Sequence, residues 1–350
     1  MKNLYIMGTA GSGKTAMALG LALKLREQGY RVAYFKPVGH PTGVVDQHDE
    51  DALLMREVLH LEHPPEVIVP FIAGPSYLSG HRQCETLDHI LSCYRRVADG
   101  ADVVIIGGAS FPHIMGCLGL DAVTLAAKLQ AGVLFTIRIE NDFSLDQAIF
   151  INSYLERCGI PPVGNVFNNV PRPLQAKTEG IYQSILRERG YRTLGIIPRR
   201  SEIASPTVAE FYDVLGGEIL TGEEEMDRLV EDVVIGAMTI ESALGYLRRS
   251  PNKAVITGGD RADMALAALE TSTSVIILTG GLYPDVKVIA RAAEKRVPVI
   301  LVHYDTFTTI ERVTVVSRRI RPDDKKSIAL VQENIEKYCD WPAIREALQG

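Results

Sequence analysis

Residues 8–15 read Gly8-Thr9-Ala10-Gly11-Ser12-Gly13-Lys14-Thr15, the pattern G-x-x-x-x-G-K-T. Between a strand and a helix, such a run forms a P-loop whose backbone N–H groups wrap a phosphate chain. The glycines let the main chain curl with no Cβ in the way. Lys14 can then reach the β- and γ-phosphates, and Thr15 offers a hydroxyl to Mg²⁺. Gly8 to Ala16 is thus the expected nucleotide-binding segment, with Lys14 as its charged group.

Three more sets of residues have types suited to chemistry. Lys36, followed by Pro37, ends an apolar run and is either a second cation opposite Lys14 or a solvated lysine at a surface turn. Asp49, Glu50 and Asp51 open a helical pattern; they suit Mg²⁺ opposite Thr15 and equally suit the positive end of a helix dipole. Thr257-Gly258-Gly259-Asp260-Arg261 and Leu278-Thr279-Gly280-Gly281 are two strand-to-glycine turns. They read either as free amides cradling a small anion or as tight strand–helix connections with Asp260 as a cap. His40, His48, His81 and His113 sit in polar or Gly/Pro-rich stretches and show no ligand spacing.

These residues need elements to hold them. Leu4-Tyr5-Ile6-Met7 is an apolar strand leading into the loop, and Ala16 to Leu25 is apolar nearly all round, as in a helix packed under a sheet and stopped near Gln28-Gly29. Further strands are expected at 31–35, 103–106, 133–137, 163–167 and 193–197, with helices at 52–59, 121–130, 145–157 and 174–189. A polar, turn-rich stretch covers 40–50, and the region from there to about Asp99 beyond the 52–59 helix reads as irregular. Strands apolar on both faces, alternating with helices, indicate a mostly parallel, doubly wound α/β sheet. After Gly216-Gly217 a second, smaller α/β set begins, with strands at 233–235, 254–257, 275–278 and 299–302 and a helix opening on the capping box Thr308 to Glu311. A final helix spans Ser327 to Tyr338.

With 37 basic and 43 acidic residues, the net charge of −6 offers no general attraction to nucleic acid or an anionic membrane. No apolar run approaches the roughly 18 residues of a membrane span, and Met1-Lys2-Asn3 leads straight into a strand, so no signal peptide is expected. Five scattered cysteines read as reduced thiols of a cytoplasmic protein.

Together the P-loop, the Lys36-Pro37-Val38 turn and Asp51-Ala52-Leu53 resemble dethiobiotin synthetase and its amidoligase relatives. The resemblance covers residues 1 to about 213. It implies ATP as the nucleotide, Asp51 as a Mg²⁺ ligand beside Thr15, Lys36 near a reacting carboxylate and phosphate, and adenine contacts from Asn168 and the Gly195-Ile196-Ile197-Pro198 turn. Where that family carries a metal-binding glutamate, this chain has Gly107-Gly108-Ala109, which weakens the case for efficient phosphoryl transfer. Residues from about 217 to 326, with Asp260-Arg261 and Thr279-Gly280-Gly281, resemble the DRTGG domain, and this second domain is expected to take a small ligand there. Both domains, ending in a helix containing Asp340-Trp341, are similar to the amino-terminal, non-catalytic portion of long-form phosphate acetyltransferase. The acetyl-transferring domain would lie beyond Gly350, so the chain is not expected to make acetyl phosphate by itself.

The expected domains are a P-loop domain over 1–215, a DRTGG-like domain over 216–326 and a C-terminal helix over 327–350. The expected function is an ATP–Mg²⁺-binding sensor or regulatory partner in acyl-CoA metabolism, forming a homodimer and meeting a metabolite effector or a metabolic enzyme. The rival is an ATP-dependent carboxylate–amine ligase or carboxylase, in which Lys36 stabilises a forming acyl phosphate.

Overall fold

The computed structural model describes residues 2–40, 49–74, 76–78 and 83–349. Most of the polar stretch expected over 40–50, with His48, and also His81, lies outside the described residues. The chain packs as two units, Met1–Arg199 with Ile320–Gly350, and Arg200–Arg319.

The first unit is built on a six-stranded sheet. Its strands are β1 (Asn3–Gly8), β2 (Val32–Phe35), β3 (Val103–Gly107), β4 (Ala131–Arg138), β5 (Pro162–Val170) and β6 (Thr193–Pro198), in the order β2-β3-β1-β4-β5-β6 with every pair parallel. All six residues of β1 are buried, as its apolar sequence requires of a central strand covered on both faces. This order sends β1 and β4 in opposite directions around the sheet, so the connections from their C-terminal ends diverge and leave a crevice at the edge where ligands bind in open α/β sheets.

The region read as irregular holds a regular element. Gln83–Ala98 is a helix whose buried Ile90, Cys93 and Val97 are spaced as one helical face. At the far end, the chain breaks helix at Cys339-Asp340: Asp340 N donates to Leu194 O at 2.7 Å beside β6, so Asp340 sits between the helices Lys325–Tyr338 and Trp341–Gln349. Helix Lys325–Tyr338 lies against the P-loop helix Lys14–Glu27, and the C-terminal segment is thus part of the first unit.

A five-stranded sheet forms the second unit: β7 (Glu218–Thr221), β8 (Asp232–Ile235), β9 (Lys253–Gly258), β10 (Thr273–Thr279) and β11 (Val299–Leu301), ordered β7-β11-β10-β9-β8. Only the edge strand β7, invisible to the sequence reading, is antiparallel. Helix Val208–Leu215, capped by the Thr207–Glu210 box, buries Val208, Phe211 and Leu215 with Ile256, Ile277 and Ile300 of this sheet. The boundaries therefore fall at 199/200 and 319/320; those at 215/216 and 326/327 lie away from these divisions in packing. The expected capping box at Thr308 also shifts: helix Thr306–Val313 is capped by Asp305, whose carboxylate accepts from Thr308 N at 2.8 Å.

Lys253 is fully buried at the start of β9, and its ammonium donates to Ser250 O (3.2 Å), Thr271 Oγ1 (2.8 Å) and Ser272 O (2.8 Å). Burial pushes its pKa down to about 8. A folded value below the ordinary lysine value of about 10.4 means the second unit gains stability as pH rises from about 8 towards 10.4. Thermal unfolding at several pH values should show that rise, and Lys253→Met should flatten it.

Candidate nucleotide site

Gly8 ends β1, and Gly13, at φ 80, flanks the helix that follows the loop. A Cβ at Gly13 would stand 2.1 Å from Asn168 Nδ2, so both the left-handed backbone and the space demand glycine. Neighbouring strands hold the loop in shape. Thr136 of β4 donates its hydroxyl to Met7 O (3.1 Å) and so accepts from Ser12 Oγ (2.9 Å). Asn168, near the end of β5, donates to Ser12 O at 2.9 Å. The cradle is thus fixed by bonds from two other strands, with Ala10 and Gly11 exposed at its crown.

Lys14 is half-buried and folds back to donate to Thr9 O at 2.7 Å. Burial, followed by the nearby Lys36 charge, lowers its pKa to about 8, with Asp51 working in the opposite direction. A phosphate chain entering the loop would supply an anion, which this ammonium lacks among the described residues.

Lys36 is neither a solvated lysine nor a free cation. It is 8% exposed, and its ammonium reaches Asp49 Oδ2 (2.7 Å), Asp49 Oδ1 (3.0 Å) and Asp51 Oδ2 (2.7 Å). Asp49, 3% exposed, is held in turn by His40 N and Asp51 N, both at 3.0 Å, and caps helix Glu50–Val58. Burial alone would lower the Lys36 pKa, yet the charges of Asp51 and Asp49 raise it above the usual range. The carboxylates separate: burial and the Asp51 charge push Asp49 up, whereas at Asp51 the Lys36 ammonium and the Thr15 hydroxyl outweigh burial and bring the pKa down.

Thr15 Oγ1 donates to Asp51 Oδ1 at 2.9 Å. These two oxygens on one side of the loop fit Mg²⁺, which takes its remaining ligands readily from phosphate and water. Gly107 adds none, and a Cβ there would stand 2.2 Å from the Oη of buried Tyr34, so no acidic side chain has room. A small cavity lined by Lys36, Val38, His40, Ala109, Ser110 and Ile114 adjoins the triad. Pro198, ending β6, pairs with Val170 of β5 beside Asn168 and Asn169. Asn169 has a left-handed backbone (φ 57), and its buried Oδ1 has no hydrogen-bond partner among the described residues.

Comparison with known proteins finds a family for each part of the chain. Residues 2–207 match the AAA domain family, and residues 210–316 match the DRTGG domain. The chain belongs to that AAA domain family. Curated relatives include the phosphate acetyltransferases of Nitratidesulfovibrio vulgaris, 27% identical over 97% of this chain and 50% of that protein, and of Pseudomonas putida, 25% identical over 97% and 51%. The chain thus spans about half the length of the curated relatives it matches. Among solved structures, a putative plasmid partition protein from Borrelia burgdorferi bound to AMPPNP aligns at TM-score 0.39 and 15% identity, covering 58% of this chain and 88% of that one; a likeness that loose supports no argument.

Within the AAA domain, Gly8 to Ala16, Lys36, Asp51, Asn168 and Pro198 all lie at the C-terminal edge of the sheet or on the segments leaving it. Sequence reading missed Asp49 as the partner of Lys36, Asn169, and Arg138 at the end of β4. Only the helix-start acids gave a signal, because Arg138 belongs to no motif.

The DRTGG domain separates the two readings of its glycine turns. Its glycine turns do not leave these amides free: Gly280 N donates to Tyr304 O (2.7 Å), Gly281 N to Val302 O (2.9 Å), Gly259 N to Thr279 O (3.2 Å) and Arg261 N to Gly258 O (3.0 Å). Arg261 pairs with Asp263 at 3.0 Å, and the Thr279 hydroxyl meets Thr306 at 2.9 Å, while Asp260 is exposed and caps no helix with its side chain. The turns are tight connections whose amides are taken up by carbonyls of their own and neighbouring strand ends.

Proposed function

We propose that the AAA domain binds a nucleoside triphosphate, ATP by the resemblance, and that the chain works as a cytoplasmic nucleotide sensor or regulatory partner in phosphate acetyltransferase-related metabolism. The observation that carries the reading is the loop itself, held in shape by Thr136 and Asn168 and bearing a lysine that has no anionic partner among the described residues. Thr15 and Asp51 would hold Mg²⁺, whose chemistry is to neutralise phosphate charge. Asn168 and Pro198 are the residues proposed to meet the base. Asp260, Arg261, Thr279, Gly280 and Gly281 remain the proposed ligand region of the DRTGG domain, with the side chains of Asp260, Arg261 and Thr279 in place of the turn amides and the two glycines shaping the turn. A homodimer and a metabolic enzyme partner complete the proposal.

Binding is favoured over ligase or carboxylase turnover by the state of Lys36. Among the described residues its ammonium bonds go to two carboxylates, which leaves it poorly placed to stabilise a forming acyl phosphate. Calorimetric titration with ATP and GTP tests the reading. Lys14→Ala should weaken ATP binding roughly tenfold to a hundredfold, the worth of a charge-assisted hydrogen bond. Wild-type protein that takes up neither nucleotide, or that turns over ATP at enzyme-like rates with a carboxylate substrate, would overturn it.

A further inference from the structure

Charge at the loop is nearly cancelled by the chain itself. The two lysines expected to meet phosphate face two carboxylates, and both of those, Asp49 and Asp51, hold Lys36. Lys14 faces the loop alone, donating to a neutral carbonyl. A triphosphate carries several negative charges, and one ammonium is a weak match for them.

A third cation stands at the same place. Arg138 is the last residue of β4, the strand that pairs with β1 as far as Gly8↔Thr136. Two residues beyond that pairing, its side chain lies across the crown of the loop: a Cβ at Gly11 would be 2.5 Å from Nη1 and 3.7 Å from Cζ. Gly11 also has φ 67, so the loop is fitted to the guanidinium by both backbone and space. Glu140 pairs with Nε at 3.0 Å and orients the plane, while Nη1 makes no hydrogen bond to protein among the described residues. The Arg138 side chain is half-exposed, beside the exposed crown at Ala10 and Gly11.

We propose that Arg138 is a phosphate-binding residue of this site, supplying from β4 the positive charge that Lys36 has surrendered to Asp49 and Asp51. Its ligand is the polyphosphate chain of the nucleotide, which a planar fork of N–H donors suits better than a single ammonium does. Glu140 is a positioning residue that holds the fork over Gly11. The inference rests on the nucleotide reading above.

The test is titration of the full chain with ATP at low and high salt, for wild type, Lys14→Ala, Arg138→Gln and Arg138→Lys, with thermal unfolding of each. Arg138→Gln is expected to raise the Kd for ATP about tenfold, a loss of roughly one charge-assisted hydrogen bond, and to reduce the salt dependence of binding. Its unfolding temperature should stay unchanged, and Arg138→Lys should recover part of the affinity. The inference is overturned if Arg138→Gln binds within twofold of wild type while Lys14→Ala does not bind. It is equally overturned if Arg138→Lys is as weak as Arg138→Gln with salt dependence intact, since the residue then acts only by shaping the loop. Wild-type protein without any ATP binding would overturn the nucleotide reading itself, and this inference with it.

Discussion

Lys36→Met should lower the stability of the AAA domain by about 3–5 kcal/mol at neutral pH, the usual cost of removing one partner from a buried ion pair. The reason lies in what stays behind. Asp49 and Asp51 approach the same ammonium within 2.7 Å, and without it two carboxylates, one of them 3% exposed, face each other uncompensated. The pH dependence gives the test its sign. In the wild type the Lys36 pKa is raised in the fold, so its contribution is complete below the ordinary lysine value and is lost only as pH climbs through the raised folded value. Asp51 is lowered, so its share is present above the ordinary carboxylate value and disappears as pH falls. In the variant the carboxylates lose their cation and one of them takes up a proton more readily, so the deficit should shrink between pH 7 and pH 5. Urea unfolding at both pH values measures it. Equal midpoints for variant and wild type at pH 7 would show that the triad is solvated and structurally idle. ATP binding should be lost as well, because the phosphates would meet the bare negative charges of Asp49 and Asp51.

That triad marks where sequence reading stops. The loop was legible because everything it needs lies within 25 residues: a buried strand, glycines at the turn, and an apolar helix after Lys14. Lys36 and the acids at 49–51 were each visible, but as separate sets with alternatives left open. Their pairing depends on how the chain returns between them, which no local pattern encodes. Helix Gln83–Ala98 had a regular apolar face in Leu87, Ile90, Tyr94 and Val97, diluted by His89, Ser92 and two arginines that made the stretch look irregular. Strand β7 is four residues long, only partly buried and antiparallel, so it lacks the apolar run that revealed its parallel neighbours. The DRTGG turns stayed open between two readings for a related reason: the carbonyls that consume the amides, Tyr304 and Val302, sit more than 20 residues further on. Arg138 had no signal, since an arginine after a strand is ordinary until the strand is known to lie beside β1.

Gly20→Val should cost the same domain about 3 kcal/mol, at the upper end of what overpacking a well-packed contact does. Gly20 is buried in the P-loop helix where Lys325–Tyr338 crosses it. A Cβ at Gly20 would stand 2.6 Å from Ile335 Cγ1, 3.0 Å from Val331 O and 3.1 Å from Val331 Cγ1. Ile335 can rotate away, but a backbone carbonyl cannot, so valine must push the two helices apart. Around this contact Lys24 bonds Glu336 and Gln332 bonds Glu27, and both bonds depend on the same spacing. Gain of helix propensity over glycine, only about 0.3 kcal/mol for β-branched valine, offsets little of the cost. Urea unfolding should show the loss, and limited proteolysis should cut the variant first within 320–349. Adding Ile335→Ala should restore part of the stability, because it vacates the nearest atom; a double variant no better than Gly20→Val assigns the clash to the Val331 carbonyl. An unchanged unfolding midpoint for Gly20→Val would mean that the C-terminal helix does not rest on the P-loop helix. The consequence would reach the site: the helix that Gly20 anchors begins with Lys14 and Thr15, so a shift of its seat against Lys325–Tyr338 would work against the bonds from Thr136 and Asn168 that hold the loop.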